Sequence, residues 1–338
     1  MARLVGVDVA RGVAVLGMMT AHVGPEPGAG DRSWLADQAL RLADGRPSAL
    51  FVVLAGVSLA LMSGGPVPTT PLTYARVRVL VRTVLLLVIG LGLVWLDTPV
   101  VVILPTYAVL FLLGVPALAW SRPVLVAAAC AFALVGPIVR AELAGRVPGQ
   151  VGDALVGPYY PAVVWAAYLL AGLAVGRTDL RAARVRPALA GIGAGLLALG
   201  YGGGALAQDL LPNHLTSTQP HASTTFEVAA NTGVALLVLV GCLELGDRVP
   251  RLVAPVAAVG ALALTAYVVH VVVIALVGPE VVYAPDTAAW LAFLAVTVLA
   301  CWAWRTWLGR GPLERVLHGA SAAVAARAVR AREVSPRA

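Results

Sequence analysis

The sequence predicts an all-α fold: a polytopic integral membrane helix bundle of about ten transmembrane helices, with both termini cytoplasmic. Three observations predict it. Sixty per cent of the 338 residues are hydrophobic and 12% are charged, whereas soluble domains carry about a quarter charged residues. The mean hydropathy is +0.89. The apolar residues are also gathered into runs near the roughly 20 residues that a helix needs to cross hydrocarbon.

These runs lie near 4–22, 47–63, 80–96, 100–119, 123–140, 159–176, 187–207, 225–245, 254–277 and 288–308. The first is interrupted by Asp8 and Arg11 and ends at His22. No convincing cleavage site follows it, so it reads as a retained span. The second enters through Gly45-Arg46-Pro47-Ser48, and the third and fourth are separated by little more than Asp97-Thr98-Pro99. Tyr159, Tyr160 and Trp165 at the start of the sixth suit an interfacial aromatic belt. The eighth follows a polar loop, Pro212-Asn213-His214 through Pro220-His221 to Glu227, with Asn231 one turn further on. The ninth carries Thr265, Tyr267 and His270. We expect one transmembrane domain over 1–310 and a basic cytoplasmic tail over 311–338.

Orientation follows from charge. All 24 basic residues are arginine. With the N-terminus inside, 18 of them fall on the cytoplasmic side, from Arg3 through Arg76, Arg122 and Arg177 to the tail beyond Arg305. Five fall outside (Arg32, Arg41, Arg46, Arg140, Arg146), as the positive-inside rule requires. The net charge of +7 is therefore topology, and the Arg327–Arg337 end reads as solvated or lipid-touching, not as a nucleic-acid arm. Cys130, Cys242 and Cys301 lie in apolar runs without metal-ligand spacing and read as core residues. Neither a His-x-x-x-His pair, a Gly-x-Ser-x-Gly elbow nor a Walker loop occurs. No metal is expected.

Ionisable side chains inside a span are costly and usually functional. Asp8 and Arg11 are three residues apart and share a helix face, where they form a structural ion pair or meet a ligand. His22 lies roughly 21 Å further along the same helix, so this orientation puts it at the outer surface. His221, Glu227 and His270 gather on that side too. Each has a plainer reading: His22 as an interfacial residue, Glu227 as a first-turn acid behind a Thr224 or Thr225 N-cap, His270 as a hydrogen-bonded packing residue. A histidine near an acid suits general acid–base work on a hydroxyl or amine, because imidazole titrates near neutral pH.

The opening Arg3-Leu-Val-Gly-Val-Asp8-Val-Ala-Arg11-Gly12 resembles that of the heparan-α-glucosaminide N-acetyltransferase catalytic-domain family, transmembrane acyltransferases with bacterial YeiB-like relatives. The likeness continues in order through Gly45–Ser58, Leu104-Pro-Thr-Tyr107, Tyr160–Arg177, Pro220-His221 to Glu227, Leu264-Thr265-Ala-Tyr267 and Gly311-Pro312-Leu-Glu314. It implies an integral-membrane acyltransferase of the bacterial cytoplasmic membrane, moving an acetyl or other acyl group from cytoplasmic acyl-CoA to an amine or hydroxyl on an outer, envelope-glycan-like acceptor. His221 or His22 would be the general base and Glu227 its partner. Asp8, Arg11 and Arg177 would meet the donor, and Arg46, Ser48, Tyr107, Trp165, Asn231 and His270 would line the substrate cavity. Expected partners are membrane lipids, donor and acceptor, without nucleic acid; a homodimer stays open. The eukaryotic members place their catalytic histidine in a His-x-x-Trp segment, for which this chain has Asp31-Arg32-Ser33-Trp34. The runner-up function is a transporter or exporter of a small polar or lipid-linked solute.

Overall fold

A computed structural model describes residues 4–28, 33–67 and 70–334. Arg3, Asp31, Arg32 and Arg337 lie outside the described residues. Regular structure among the described residues is entirely helical. Every apolar run falls on a helix, but not every helix is both long and apolar enough to make a crossing. Five are: Leu72–Val94, Arg122–Leu143, Val185–Ala207, Thr225–Arg248 and Thr287–Trp307. Two bent pairs raise the number to seven: Trp34–Ala43 with Arg46–Met62, bent by 57°, and Ala254–Ala261 with Ala263–Val277, bent by 80°. Leu104–Ala117 and Ala162–Gly176 are apolar but shorter. The first helix, Val5–Val23, has 19 residues and contains Asp8, Arg11 and His22.

The chain divides into two compact units. One comprises residues 1–51, 92–102 and 234–315. Its centre is the Val5–Val23 helix, laid against the Ala254–Ala261 segment and tied to Thr287–Trp307 by Trp290 Nε1 donating to Thr20 Oγ1 (3.2 Å). The Trp34–Ala43 helix is amphipathic, with Trp34 and Leu35 exposed, and Ser33 caps it by accepting from Ala36 N–H at 3.3 Å. At its other end Arg46 Nη1 donates to the Arg41 carbonyl at 2.8 Å.

The second unit comprises residues 52–91, 103–233 and 316–338. Its core is the Ala162–Gly176 helix, buried nearly all round. A helix apolar on every face is one that neighbours cover, which explains how so short an apolar run is accommodated. Arg122–Leu143 is its main neighbour.

Candidate functional site

The first unit is organised around a break. An unbroken helix through 254–277 would bond Leu264 N–H to the Gly260 carbonyl. At Leu262 the chain turns (φ −111°, ψ 26°), and both groups lose that partner. Arg11 Nη1 donates to the Gly260 carbonyl at 3.2 Å and to Asp8 Oδ1 at 3.1 Å. On the other side Glu314 Oε1 accepts from Leu264 N–H (2.8 Å) and Thr265 N–H (3.0 Å), and its Oε2 accepts from Thr265 Oγ1 (2.6 Å). A cation thus sits at the carbonyl end of one half-helix and an anion at the amide end of the next, each matched to the local dipole. Asp8 is 6% exposed.

The close approach that lets Arg11 reach this carbonyl depends on glycine. A Cβ on Gly12 would run into the Val256 carbonyl oxygen, and one on Gly260 into that of Asp8. Small residues at such crossings let membrane helices approach backbone to backbone. Gly260→Leu is expected to lower stability by about 1–3 kcal/mol or more through overpacking, read as a fall in the thermal unfolding midpoint in detergent.

At the far end of the first helix, His22 Nδ1 and His270 Nε2 lie 3.0 Å apart. The ring planes differ by 9° and the centroids are 5.2 Å apart. Contact is between the nearest ring nitrogens, with the centroids much further apart. The rings therefore meet edge to edge, as an in-plane N–H···N bond requires, rather than face to face. Such a bond needs one nitrogen bearing hydrogen and the other a lone pair. His270 is 2% exposed and packs edge-on against the buried Tyr267 at 5.0 Å, whereas His22 is half-buried. A fixed, buried imidazole thus orients a more accessible one.

The second unit holds a different group. Thr224 Oγ1 accepts from Glu227 N–H at 3.0 Å, the N-cap that the plainer reading expects. Ahead of it the chain takes positive φ at His221 (61°) and Ser223 (56°), which turns their amides toward one point. The Glu227 carboxylate fills that point, accepting from His221 N–H (2.9 Å), Ser223 N–H (2.5 Å) and Asn231 Nδ2 (3.3 Å). The expected His221–Glu227 dyad is corrected by this geometry: the acid bonds the main chain of His221, and the imidazole Nδ1 lies 3.0 Å from the Tyr159 carbonyl instead. Tyr159 and Tyr160 flank the ring edge-on at 5.6 and 5.3 Å, and Tyr160, Trp165 and Tyr168 continue as a chain of edge-on contacts. Arg140 staples the same region through the carbonyls of Gly157, Pro158 and Ala222. Glu227→Ala is expected to strip two left-handed amides of their acceptor at about 1–3 kcal/mol for each group left unsatisfied. Hydrogen exchange at His221 and Ser223 should quicken, with Glu227→Gln intermediate.

The other expected site residues fall as follows. Arg177 donates to the Gly65 (3.0 Å) and Leu118 (2.7 Å) carbonyls, so like Arg11 it holds main chain. Ser48 is buried, and Tyr107 is buried 5.9 Å from Phe111. Trp165 and Asn231 join the His221 group, and His270 joins His22. Residue reading missed Glu314 in its actual role. Its signal was an acid just after the last span, in the Gly311-Pro312-Leu-Glu314 segment. Among the described residues no cluster of three or more His, Cys, Asp or Glu is arranged to hold a metal ion.

Fold and site together define a multi-pass, all-helical membrane protein whose spans carry buried ionisable and imidazole side chains. The family model described as heparan-alpha-glucosaminide N-acetyltransferase, catalytic, matches residues 3–200, more than half the chain, and the chain belongs to that family. Residues 177–323 match the family described as protein of unknown function DUF418, the YeiB-like family. Comparison with curated proteins gives no match. That family is one of membrane acyltransferases and takes acetyl-CoA as donor.

Proposed function

We propose that this protein transfers an acetyl or similar acyl group from cytoplasmic acyl-CoA to an amine or hydroxyl on the outer side of the bacterial cytoplasmic membrane, through about ten crossings with both termini inside. The observation that carries the reading is the His22–His270 bond in a chain of this family. In this reading His22 is the general base. The acceptor nitrogen or oxygen attacks the thioester carbonyl, the C–N or C–O bond forms as C–S breaks, and His22 Nε2 takes the acceptor proton and returns it to the leaving thiolate. His270, accepting from His22 Nδ1–H, fixes the tautomer, a task more often given to a carboxylate. Asp8 and Arg11 lie toward the donor side of the same helix, roughly 21 and 17 Å from His22. His22 supplies the histidine that the Asp31-Arg32-Ser33-Trp34 segment lacks.

Purified protein in nanodiscs, given labelled acetyl-CoA and a panel of amine and hydroxyl acceptors, is expected to yield acylated product. Absence of both CoA binding and thioester loss across the panel would sink the reading. A transporter reading draws on one observation, the broken helix at Leu262, since discontinuous helices build many solute sites. Both half-helix ends there are already engaged by Arg11 and Glu314. Solute flux in proteoliposomes without acyl-CoA would favour transport instead.

A further inference from the structure

Beside His270 runs an apolar groove of about 570 Å³ between Ala263–Val277 and Thr287–Trp307. Its floor is a stripe of small residues on the latter helix, Ala289, Ala292, Val296 and Ala300, all exposed. From Ala289 to Trp304 it extends roughly 22 Å. An apolar trough of that length can receive an extended alkyl chain lying along the helix. At one end a second cavity of about 350 Å³ is lined by Asp97, Thr98, Gly278 and Tyr283, with polar surface predominating. Ile274, one turn beyond His270, lines both cavities. Thr98 Oγ1 is buried there with no hydrogen-bond partner among the described residues. A polar cup bearing one carboxylate, sharing the Ile274 wall with an apolar slot, is the complement of a cationic amphiphile.

We propose that the acceptor is a membrane lipid carrying a primary amine: its head sits in the cup against Asp97 and Thr98, and its alkyl chain lies in the slot past His270. This rests on the acyltransferase reading above and names its acceptor class. The ammonium docks on Asp97 and sheds one proton to water. The free amine then attacks the thioester carbonyl, the C–N bond forming as C–S breaks; its second proton passes to His22, whose partner His270 lines the slot, and from there to the leaving thiolate. Bulk lipid merely filling the slot is the competing occupant, and the experiment separates the two.

The test uses n-alkylamines from butylamine to hexadecylamine in phosphatidylcholine nanodiscs, with labelled acetyl-CoA and wild-type protein, Ala292→Leu, Ala300→Leu and Leu291→Phe. Ala292 and Ala300 face the slot, whereas Leu291 is exposed on the same helix outside it. Partitioning into the disc raises rates for long amines in every variant alike, so the variant comparison decides. We expect kcat/KM to rise at least tenfold from butylamine to hexadecylamine in wild type and Leu291→Phe. In the two leucine variants that ratio should fall toward the partition value, and Asp97→Asn should weaken hexadecylamine use at least fivefold. The same ratio in all four proteins overturns the lipid acceptor while leaving acyl transfer standing. No acetylation of any amine, butylamine included, defeats the amine acceptor and the inference with it. Native mass spectrometry supplies a readout without turnover: hexadecylamine should be retained by wild type and lost from Ala292→Leu, and equal retention counts against the slot.

Discussion

His22→Gln is expected to reduce acyl transfer by about 10²–10⁴-fold, the usual contribution of a positioned general base, with little change in acceptor KM. Glutamine retains size and hydrogen-bonding capacity toward His270 Nε2, so the pair's packing survives while the proton acceptor is lost. His270→Gln should fall between wild type and His22→Gln, because it removes the group that fixes the tautomer and leaves the base itself. Single-turnover measurements with labelled acetyl-CoA separate the chemical step from binding. The matched replacement His221→Gln, at an imidazole held by the Tyr159 carbonyl, should cost much less. Equal losses at His22 and His221 would dismantle the assignment.

Arg11→Ala is expected to destabilise the protein by about 3–5 kcal/mol, the range found when one partner of a buried pair is removed. The substitution removes the cation 3.1 Å from Asp8, which is 6% exposed, and opens the Gly260 carbonyl at the bend. The double variant Asp8→Asn with Arg11→Ala should recover part of that loss, since the buried anion is removed together with its cation. Thermal unfolding of the purified protein in detergent reports both. A double variant no more stable than Arg11→Ala would show that the Gly260 carbonyl, not the ion pair, dominates.

Much of this arrangement was legible in the chain. The apolar runs located the helices, because a backbone in hydrocarbon satisfies its polar groups only by coiling. The Asp8–Arg11 spacing gave their pairing, and Thr224 ahead of Glu227 gave the N-cap. Two things stayed hidden. Run lengths do not give helix lengths, so the Ala162–Gly176 helix, short and buried in its unit, reads in sequence like the longer helices. Partners distant in sequence were equally invisible. His22 and His270 are 248 residues apart, and Arg11 meets a carbonyl, which no residue pattern advertises. The His221–Glu227 expectation failed for a related reason. Six residues of separation places two groups near each other, but left-handed φ at His221 turned the amide rather than the ring toward the acid.

The bend at Leu262 exchanges a main-chain bond, Leu264 to Gly260, for side-chain bonds from Arg11 and to Glu314. What is held open by two ions can close when either leaves. Re-forming that bond would realign two segments that now diverge by 80° and so shift the helix bearing His270 relative to the first helix. The dyad is built on the hinged shape. Its assembly answers to charges about three turns back along the first helix, where Arg11 and Asp8 hold the bend.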